Sequence, residues 1–260
     1  MKLIAMDLDN TFLHHTSKGT IVHEGDLAAL REFEQQGGIL AIASGRHYKE
    51  IKEISEEYGI GSYFICSNGA YCEDNEGKEL YKAAFSTKDA INILEVSEKF
   101  SVYRVVADDE AYFCENKDKF LSLIETKFSA HHEDDPSIRE KMGTTIDFRK
   151  LMFLGRTTTL KRLKNEIQTK FPTYQALFTS KISLEIMPKE ASKGHGLQAL
   201  MNVLSLQADE VAAIGDSEND ISMFGVAGKS YTFPNSLENV KASATDVVPS
   251  VEDMIKSFKE

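Results

Sequence analysis

Short apolar runs alternate with stretches of helical periodicity in the first and last parts of the chain. The apolar runs, typical of strands buried on both faces of a parallel sheet, lie at residues 3–6, 39–43, 63–66 and 210–214. Apolar residues recur at helical spacing over residues 22–36, 48–58, 192–204 and 251–258. This alternation predicts an α/β core with a parallel sheet and right-handed crossovers.

A different pattern occupies residues 86–184. It predicts helices at 87–100, 119–128 and 158–171, strands at 102–107, 111–115, 151–154, 174–179 and 183–187, and a polar loop at 131–143. Repeated helix-strand-strand order favours an open sheet with helices on one face. We therefore predict an α/β domain at 86–184, inserted into a core formed by residues 1–85 and 185–260.

Two carboxylates follow the first apolar run. In an extended strand, Asp7 and Asp9 project to the same side of the backbone. Their repulsion is costly unless a cation compensates it, and hard oxygen ligands suit Mg²⁺. Ligands in open α/β sheets also bind at the carboxyl ends of strands. The alternative is that both acids only cap the following turn.

Polar residues follow the other strands and begin one helix. These are Ser44, Gly45 and Arg46, then Lys193, and finally Asp216, Asn219 and Asp220. Taken singly, each is explained equally well by a turn, a helix-terminal lysine or an acidic cap. Their order and repeated position at strand ends favour phosphoryl transfer, in which positioning and cations supply most of the catalysis.

The residue types suggest a different role for each residue in the reaction. Asp7 is the candidate nucleophile, and Asp9 the candidate general acid and base. Mg²⁺ would be held by Asp7, the main-chain carbonyl of Asp9 and Asp216. Lys193, the Ser44 hydroxyl and the amides after Asp7 and Ser44 would bind phosphoryl oxygens.

The polar stretch at residues 12–21 is predicted to be a surface loop or flap. It contains His14 and His15, which we interpret as exposed histidines without a special role rather than as metal ligands. Residues 71–80 predict a hairpin that turns at 74–77.

Composition narrows the class of protein. A net charge of −11 and a pI near 5.2 disfavour nucleic-acid binding, because phosphate backbones attract basic faces. No apolar run is long enough to span a bilayer, and no secretory signal is expected. Cys66, Cys72 and Cys114 form no C-x-x-C pair, which favours reduced thiols in a cytoplasmic protein.

Four segments, in order, resemble the motifs of the haloacid dehalogenase superfamily. They are Asp7-Leu8-Asp9-Asn10-Thr11, Ala43-Ser44-Gly45-Arg46, Ser192-Lys193-Gly194 and Gly215-Asp216-Ser217-Glu218-Asn219-Asp220. The insertion between the second and third motifs, and the loop Ser67-Asn68-Gly69-Ala70, resemble the Cof-type phosphatase subgroup. The resemblance implies a Rossmann-like core, an α/β cap of the C2B type, Mg²⁺ dependence and hydrolysis of small organic phosphates.

Matched position by position, the resemblance implies the same catalytic pair, Asp7 and Asp9. It places the metal at Asp7, Asp9 and Asp216, with Asp220 in the outer shell, and the phosphate or substrate at Thr11, Ser44, Gly45, Arg46, Lys193 and Asn219. Asn10 stands where glycine is usual in the family. Because Asn tolerates unusual backbone angles, we expect the loop to keep its shape.

The sequence thus predicts a cytoplasmic, Mg²⁺-dependent phosphatase of small phosphorylated metabolites, with sugar phosphates as the first candidates. We expect a monomer or weak homodimer with no nucleic-acid or membrane partner. One alternative is a phosphomutase of the phosphomannomutase type, which needs a second cationic phosphate site. The other is a non-catalytic protein that binds phosphorylated metabolites and has a regulatory role.

Overall fold

The computed structural model describes residues 1–17, 19–108, 111–118, 122 and 132–259. The chain forms two compact units. The core unit is Met1–Lys82 with Glu190–Glu260, and the inserted unit is Ala83–Lys189. The joins predicted from the sequence, 85/86 and 184/185, lie a few residues from these bounds.

The described strands of the core unit are β1 (Leu3–Asp7), β2 (His14–Thr16), β3 (Gly19–Ile21), β4 (Ile39–Ala43), β5 (Tyr63–Cys66), β6 (Tyr71–Asp74), β7 (Glu79–Lys82), β14 (Val211–Ile214), β15 (Lys229–Thr232) and β16 (Asp246–Val247). Its described helices are α1 (Glu24–Gln35), α2 (Tyr48–Tyr58), α6 (Lys193–Leu204), α7 (Ile221–Phe224), α8 (Glu238–Ser243) and α9 (Val251–Lys256). Short 3₁₀ turns lie at Ser67–Gly69, Ala208–Glu210, Glu218–Asp220 and Ser257–Lys259.

The first strand lies inside the main sheet. Within the described residues the strand order is β16-β15-β14-β1-β4-β5-β6-β7. Strand β1 pairs in parallel with β14 on one side and with β4 on the other. The parallel α/β core predicted from the apolar runs is confirmed, and β6 and β7 add an antiparallel edge.

Burial explains why these strands consist of apolar residues. All five residues of β1 are buried, and Leu3 and Ala5 pack in one cluster with Leu197 and Leu200 of α6. A strand covered on both faces has no solvent side on which polar residues would be placed. The first polar residues therefore come where β1 ends, at Asp7.

Local signals set several helix ends. The side chain of His47 accepts a hydrogen bond from the Glu50 amide and caps α2, which ends at Gly59 in the left-handed conformation (φ 60°). Ser192 caps α6 by accepting a hydrogen bond from the His195 amide at 3.2 Å. Such caps satisfy amides that have no partner inside the helix.

The described elements of the inserted unit are α3 (Thr87–Ser97), β8 (Tyr103–Ala107), β9 (Tyr112–Cys114), β10 (His132–Asp134), α4 (Ile138–Lys141), β11 (Lys150–Leu154), α5 (Thr157–Lys170), β12 (Tyr174–Ser180) and β13 (Ser183–Pro188). The strand order is β10-β9-β8-β11-β13-β12. Residues of α3, α4 and α5 share one hydrophobic cluster with residues of the sheet. Among the described residues, the helices therefore cover one face, as predicted.

Two predictions of loops are wrong in part. Residues 131–143 contain β10 and α4, because β10 gains backbone partners from β9, which lies beside it in parallel. Such pairing overrides the poor strand propensity of His132-Glu133-Asp134. Residues 14–16 and 19–21 pair as the antiparallel strands β2 and β3 rather than forming an irregular loop.

One predicted helix cannot be compared with the structure, and two elements of the core unit had no predicted counterpart. The predicted helix at 119–128 lies outside the described residues, apart from Ser122. Helix α8 and strand β16 were not predicted. All three cysteines are buried and free, and no helix in the described ranges is both long and apolar enough to cross a membrane.

Candidate active site

Three of the predicted motifs meet at one edge of the core sheet. Strands β14, β1 and β4 are adjacent and parallel, and they end at Ile214, Asp7 and Ala43. Asp7 is therefore the last residue of its strand, and Ser44 and Asp216 follow the ends of the two neighbouring strands. This is the edge at which open α/β sheets bind ligands.

Lys193 connects the third motif to this edge. Its side chain is fully buried, and its Nζ donates to Asp7 Oδ1 at 2.5 Å and to Asp220 Oδ1 at 2.6 Å. Burial alone lowers the pKa of Lys193, but the charges of Asp220 and Asp7 hold that pKa above its ordinary value. The ammonium group is therefore a fixed positive charge between two carboxylates.

Three carboxylates form what we call the acidic cluster: Asp7, Asp216 and Asp220. One oxygen from each lies within 4.8 Å of the others. Burial, opposed by Lys193 and reinforced by Asp220, raises the pKa of Asp7 to about 7. Burial and the charge of Asp7 also raise the pKa of Asp216. One ammonium group does not offset three acids, so this site favours an additional cation.

The donor set of the acidic cluster fits a magnesium ion. Carboxylate oxygens are the hard ligands that Mg²⁺ binds, usually with one or two carboxylates and several waters. Asp7 and Asp216 were predicted to be metal ligands, and the cluster contains both. The side chain of Asp9 is not in this cluster, and its assignment as a ligand through the main-chain carbonyl stays a prediction.

Backbone conformation shapes the loops that follow β1 and β14. A Cβ at Gly215 would lie 2.3 Å from Asp220 Cγ, so only glycine leaves space for this carboxylate. Asp220 Oδ2 accepts from the Ser217 amide at 2.9 Å, which fixes its orientation. Asn10 adopts a left-handed conformation (φ 62°), which is the conformation expected where the family uses glycine.

Asp9 has different partners from Asp7. Arg46 Nε donates to Asp9 Oδ2 at 3.0 Å, and Arg46 Nη2 donates to Oδ1 at 2.7 Å. His15 Nε2 lies 2.8 Å from the same Oδ1. We call Asp9, Arg46 and His15 the Asp9 clamp. Burial raises the pKa of Asp9, but hydrogen bonds and charge from Arg46 and His15 lower it by more than burial raises it. The net pKa therefore lies below the ordinary value.

The predicted phosphate-site residues differ in exposure. Ser44 is buried, and its Oγ accepts from the Arg46 amide at 3.3 Å. Asn219 Nδ2 donates to Asn68 Oδ1 at 3.0 Å. Thr11 is fully buried, and its Oγ1 has no hydrogen-bond partner among the described residues. Contacts of Thr11, Ser44, Gly45, Arg46, Lys193 and Asn219 with a phosphate stay predictions.

The sequence analysis missed the roles of two residues. Asn68 connects the second and fourth motifs, since its amide donates to the Ser44 carbonyl at 2.9 Å and its side chain accepts from Asn219. Its backbone is left-handed (φ 56°), and the sequence signal for such a position is an asparagine directly before Gly69. His15 was interpreted as an ordinary exposed histidine, yet it contacts Asp9.

Known proteins resemble this chain along its whole length. The profile of a family described as haloacid dehalogenase-like hydrolase matches residues 4–254. The phosphatase YwpJ of Bacillus subtilis is 28% identical over 277 residues, which cover 95% of this chain and 94% of that protein. The HMP-PP phosphatase of Klebsiella pneumoniae is 28% identical over 244 residues, or 93% of this chain and 87% of that protein.

A solved structure shows the same fold. A haloacid dehalogenase-like hydrolase from B. subtilis superposes with a TM-score of 0.82 at 26% identity, covering 100% of this chain and 99% of that one. The resemblance stated from the four motifs is confirmed by these matches. The chain belongs to the haloacid dehalogenase-like hydrolase family, in which both of these relatives are named phosphatases.

Proposed function

We propose that this protein is a Mg²⁺-dependent phosphatase that hydrolyses small phosphorylated metabolites, sugar phosphates first among them, through an aspartyl-phosphate at Asp7. The observation that carries the proposal is the position of Asp7. Asp7 is the last residue of the central strand β1, and its carboxylate contacts Lys193 and belongs to the acidic cluster. A carboxylate at such a site can attack a phosphoester and divide one difficult reaction into two easier steps.

The first step transfers the phosphoryl group to the enzyme. An Asp7 oxygen forms a bond to phosphorus while the bond from phosphorus to the ester oxygen breaks. That ester oxygen takes a proton from Asp9. Negative charge on a bound phosphate raises the pKa of a nearby carboxyl group, which favours the protonated form of Asp9 that this step requires.

The second step restores Asp7. Asp9, now a carboxylate, takes a proton from water, and the water oxygen attacks phosphorus as the bond to Asp7 breaks. Arg46 and His15 lower the pKa of Asp9, which favours its base form. Lys193 and the amides after Asp7 and Ser44 would stabilise the phosphoryl oxygens in both steps.

The metal would be held by Asp7, Asp216 and the main-chain carbonyl of Asp9, with Asp220 behind them. A bound Mg²⁺ would neutralise charge that develops on the phosphoryl oxygens. The acidic cluster and the raised pKa of Asp7 support a cation at this place.

The inserted unit, Ala83–Lys189, is proposed to act as the cap that sets substrate specificity. The support is its place in the chain, between the second and third motifs, where the Cof-type subgroup carries its cap. Sugar phosphates would be tested first, with pyridoxal-type and nucleotide-type phosphates after them. The described residues of the inserted unit contain no motif that identifies the substrate.

Phosphate release from a panel of such esters, with Mg²⁺ or with EDTA, tests the proposal. The wild type should release phosphate only with Mg²⁺, and Asp7→Asn should reduce the rate by about a thousandfold or more. Asp209→Asn is the matched control, because Asp209 is exposed and precedes β14 at the opposite end of that strand. Turnover that survives in Asp7→Asn would contradict the nucleophile assignment.

The two alternatives give different results in the same assay. A mutase would convert a hexose 1-phosphate to the 6-phosphate with little release of phosphate. A regulatory protein would bind Mg²⁺ in its folded state without turnover. No contact among the described residues favours the mutase, and two arginines of the inserted unit have other partners: Arg139 pairs with Glu98 and Glu115, and Arg104 donates to Ser97.

A further inference from the structure

The hairpin β2–β3 brings a histidine to the proposed acid and base. In this hairpin His14 pairs with Ile21, His15 with Thr20, and Thr16 with Gly19. The pairing of His15 with Thr20 brings their side chains together, and His15 Nδ1 lies 3.1 Å from Thr20 Oγ1. The other ring nitrogen, Nε2, lies 2.8 Å from Asp9 Oδ1.

These contacts define which ring nitrogen carries the proton. Arg46 donates to both oxygens of Asp9, and an ionised carboxylate only accepts hydrogen bonds. His15 Nε2 must then be the donor. In a neutral imidazole Nδ1 has no proton, and it accepts the hydroxyl hydrogen of Thr20.

The contacts also distinguish the two oxygens of Asp9. Oδ1 accepts from both Arg46 Nη2 and His15 Nε2, so its two lone pairs are used. Among the described residues, Oδ2 accepts only from Arg46 Nε. Oδ2 is therefore the oxygen with a lone pair left for a proton.

We propose that His15, held by Thr20, is a positioning residue that fixes the Asp9 carboxylate with Oδ2 available for proton transfer. The inference rests on the proposed function, in which Asp9 is the general acid and base. The side chains of His15 and Asp9 are 45% and 36% exposed, and a polar contact at such exposure adds little to stability. We therefore expect the contact of His15 with Asp9 to affect proton transfer rather than the free energy of unfolding.

The leaving group tests this role. An alkyl phosphate needs a proton on its departing oxygen, whereas p-nitrophenolate leaves without one. His15→Ala should lower kcat for an alkyl phosphate such as phenethyl phosphate by about tenfold more than kcat for p-nitrophenyl phosphate. His15→Gln, which keeps an N–H donor at similar reach, should restore most of that difference, and Thr20→Val should show part of it.

His14→Leu is the matched control on the same hairpin. The His14 ring lies 4.5 Å from the His23 ring and, among the described residues, makes no contact with Asp9. Its Nε2 is buried with no hydrogen-bond partner among the described residues, so leucine is tolerated. The control should leave the ratio of the two kcat values unchanged.

A second readout does not depend on activity. Long-range ¹H–¹⁵N spectra of the metal-free protein should show His15 as the Nε2–H tautomer. Replacement of Thr20 by valine removes the hydroxyl donor and should weaken that preference. A wild-type His15 found as the Nδ1–H tautomer would overturn the inference.

The outcomes separate this inference from the proposed function. If Asp9→Asn distinguishes the two substrates but His15→Ala lowers both kcat values equally or neither, the positioning role alone is wrong. If Asp9→Asn does not distinguish them, or Asp7→Asn stays active, the proposed mechanism fails and the role of His15 fails with it.

Discussion

Two groups of side chains, each of which contains both acidic and basic residues, lie near the end of β1. They differ mainly in burial. In the first group, Lys193 joins Asp7 and Asp220, and these side chains are at most 9% exposed. In the second group, the Asp9 clamp, the exposed fractions range from 31% to 45%. The two groups thus place similar charges in two dielectric environments, although Asp7 and Asp9 are only two residues apart.

The difference in burial indicates different roles for the two groups: the buried charges affect stability, and the exposed ones orient a side chain. Charges removed from water are costly to leave unpaired. Loss of one charge from the group of Lys193, Asp7 and Asp220 should therefore lower the free energy of unfolding. Water screens the Asp9 clamp, whose ion pairs contribute little free energy but whose donors point in defined directions. We therefore expect stability to depend on the first group and proton transfer to depend on the second.

Loss of Lys193 tests the first half of this comparison with the largest effect. Lys193→Met leaves two buried carboxylates without their cation and should lower the free energy of unfolding by about 3–5 kcal/mol. Urea unfolding in EDTA measures the change. Lys2→Met removes an exposed pair with Glu210 and should change little. Similar small losses for both variants would show that burial does not set the energy scale.

The pH dependence of stability gives a smaller effect over the interval that is measured, about pH 5 to about pH 7. Because the pKa of Asp7 is raised from 3.8 to about 7, the folded chain binds more protons than the unfolded chain between these values. The free energy of unfolding of metal-free protein should therefore fall as pH rises from about 4 to about 7, by up to about 1.4 kcal/mol per pH unit from this group.

Asp7→Asn removes that titration and serves as its own control. Urea unfolding of both proteins in EDTA at about pH 5 and about pH 7 should give a smaller pH-dependent loss for the variant. Equal slopes for wild type and variant would mean that Asp7 does not titrate in this range. Asp216 and Asp220 remain in both proteins, so their titrations affect both slopes.

The smallest effect on stability is expected in the Asp9 clamp. Arg46→Lys keeps the charge but cannot donate to both oxygens of Asp9 in the fork geometry of a guanidinium. The free energy of unfolding should fall by about 1 kcal/mol or less, while kcat on an alkyl phosphate should fall by about tenfold. Unfolding curves and steady-state kinetics on one preparation measure both. A destabilisation as large as that of Lys193→Met would remove the distinction between the groups.

Much of the fold follows from local patterns in the sequence. The bounds predicted for 39–43, 48–58 and 63–66 agree with β4, α2 and β5. These elements have strong apolar patterns and clear end signals such as Gly59. By contrast, β10 has the sequence His132-Glu133-Asp134, which carries no strand signal, and it forms because β9 supplies its backbone partners.

In the candidate site, too, some residues could be identified from the sequence, whereas some contacts could not. Asp7, Asp216 and Lys193 could be selected because strand ends and helix starts are visible in sequence, and parallel strands end at one edge. The contact of His15 with Asp9 could not be predicted, because it depends on the pairing of β2 with β3 and on the direction of two side chains. The hydrogen bond between Asn68 and Asn219 joins residues far apart in the chain, which no local pattern records.

The sequence by itself determined the parallel core, the inserted α/β unit and the set of residues at the strand ends, because hydrophobic periodicity and motif order are local properties. Only the tertiary structure decided which acids are buried with Lys193 and which remain half-exposed with Arg46 and His15. Burial raises the pKa of both acids, but it outweighs Lys193 at Asp7 and is outweighed by Arg46 and His15 at Asp9. The two pKa values therefore move in opposite directions although only Leu8 separates the residues.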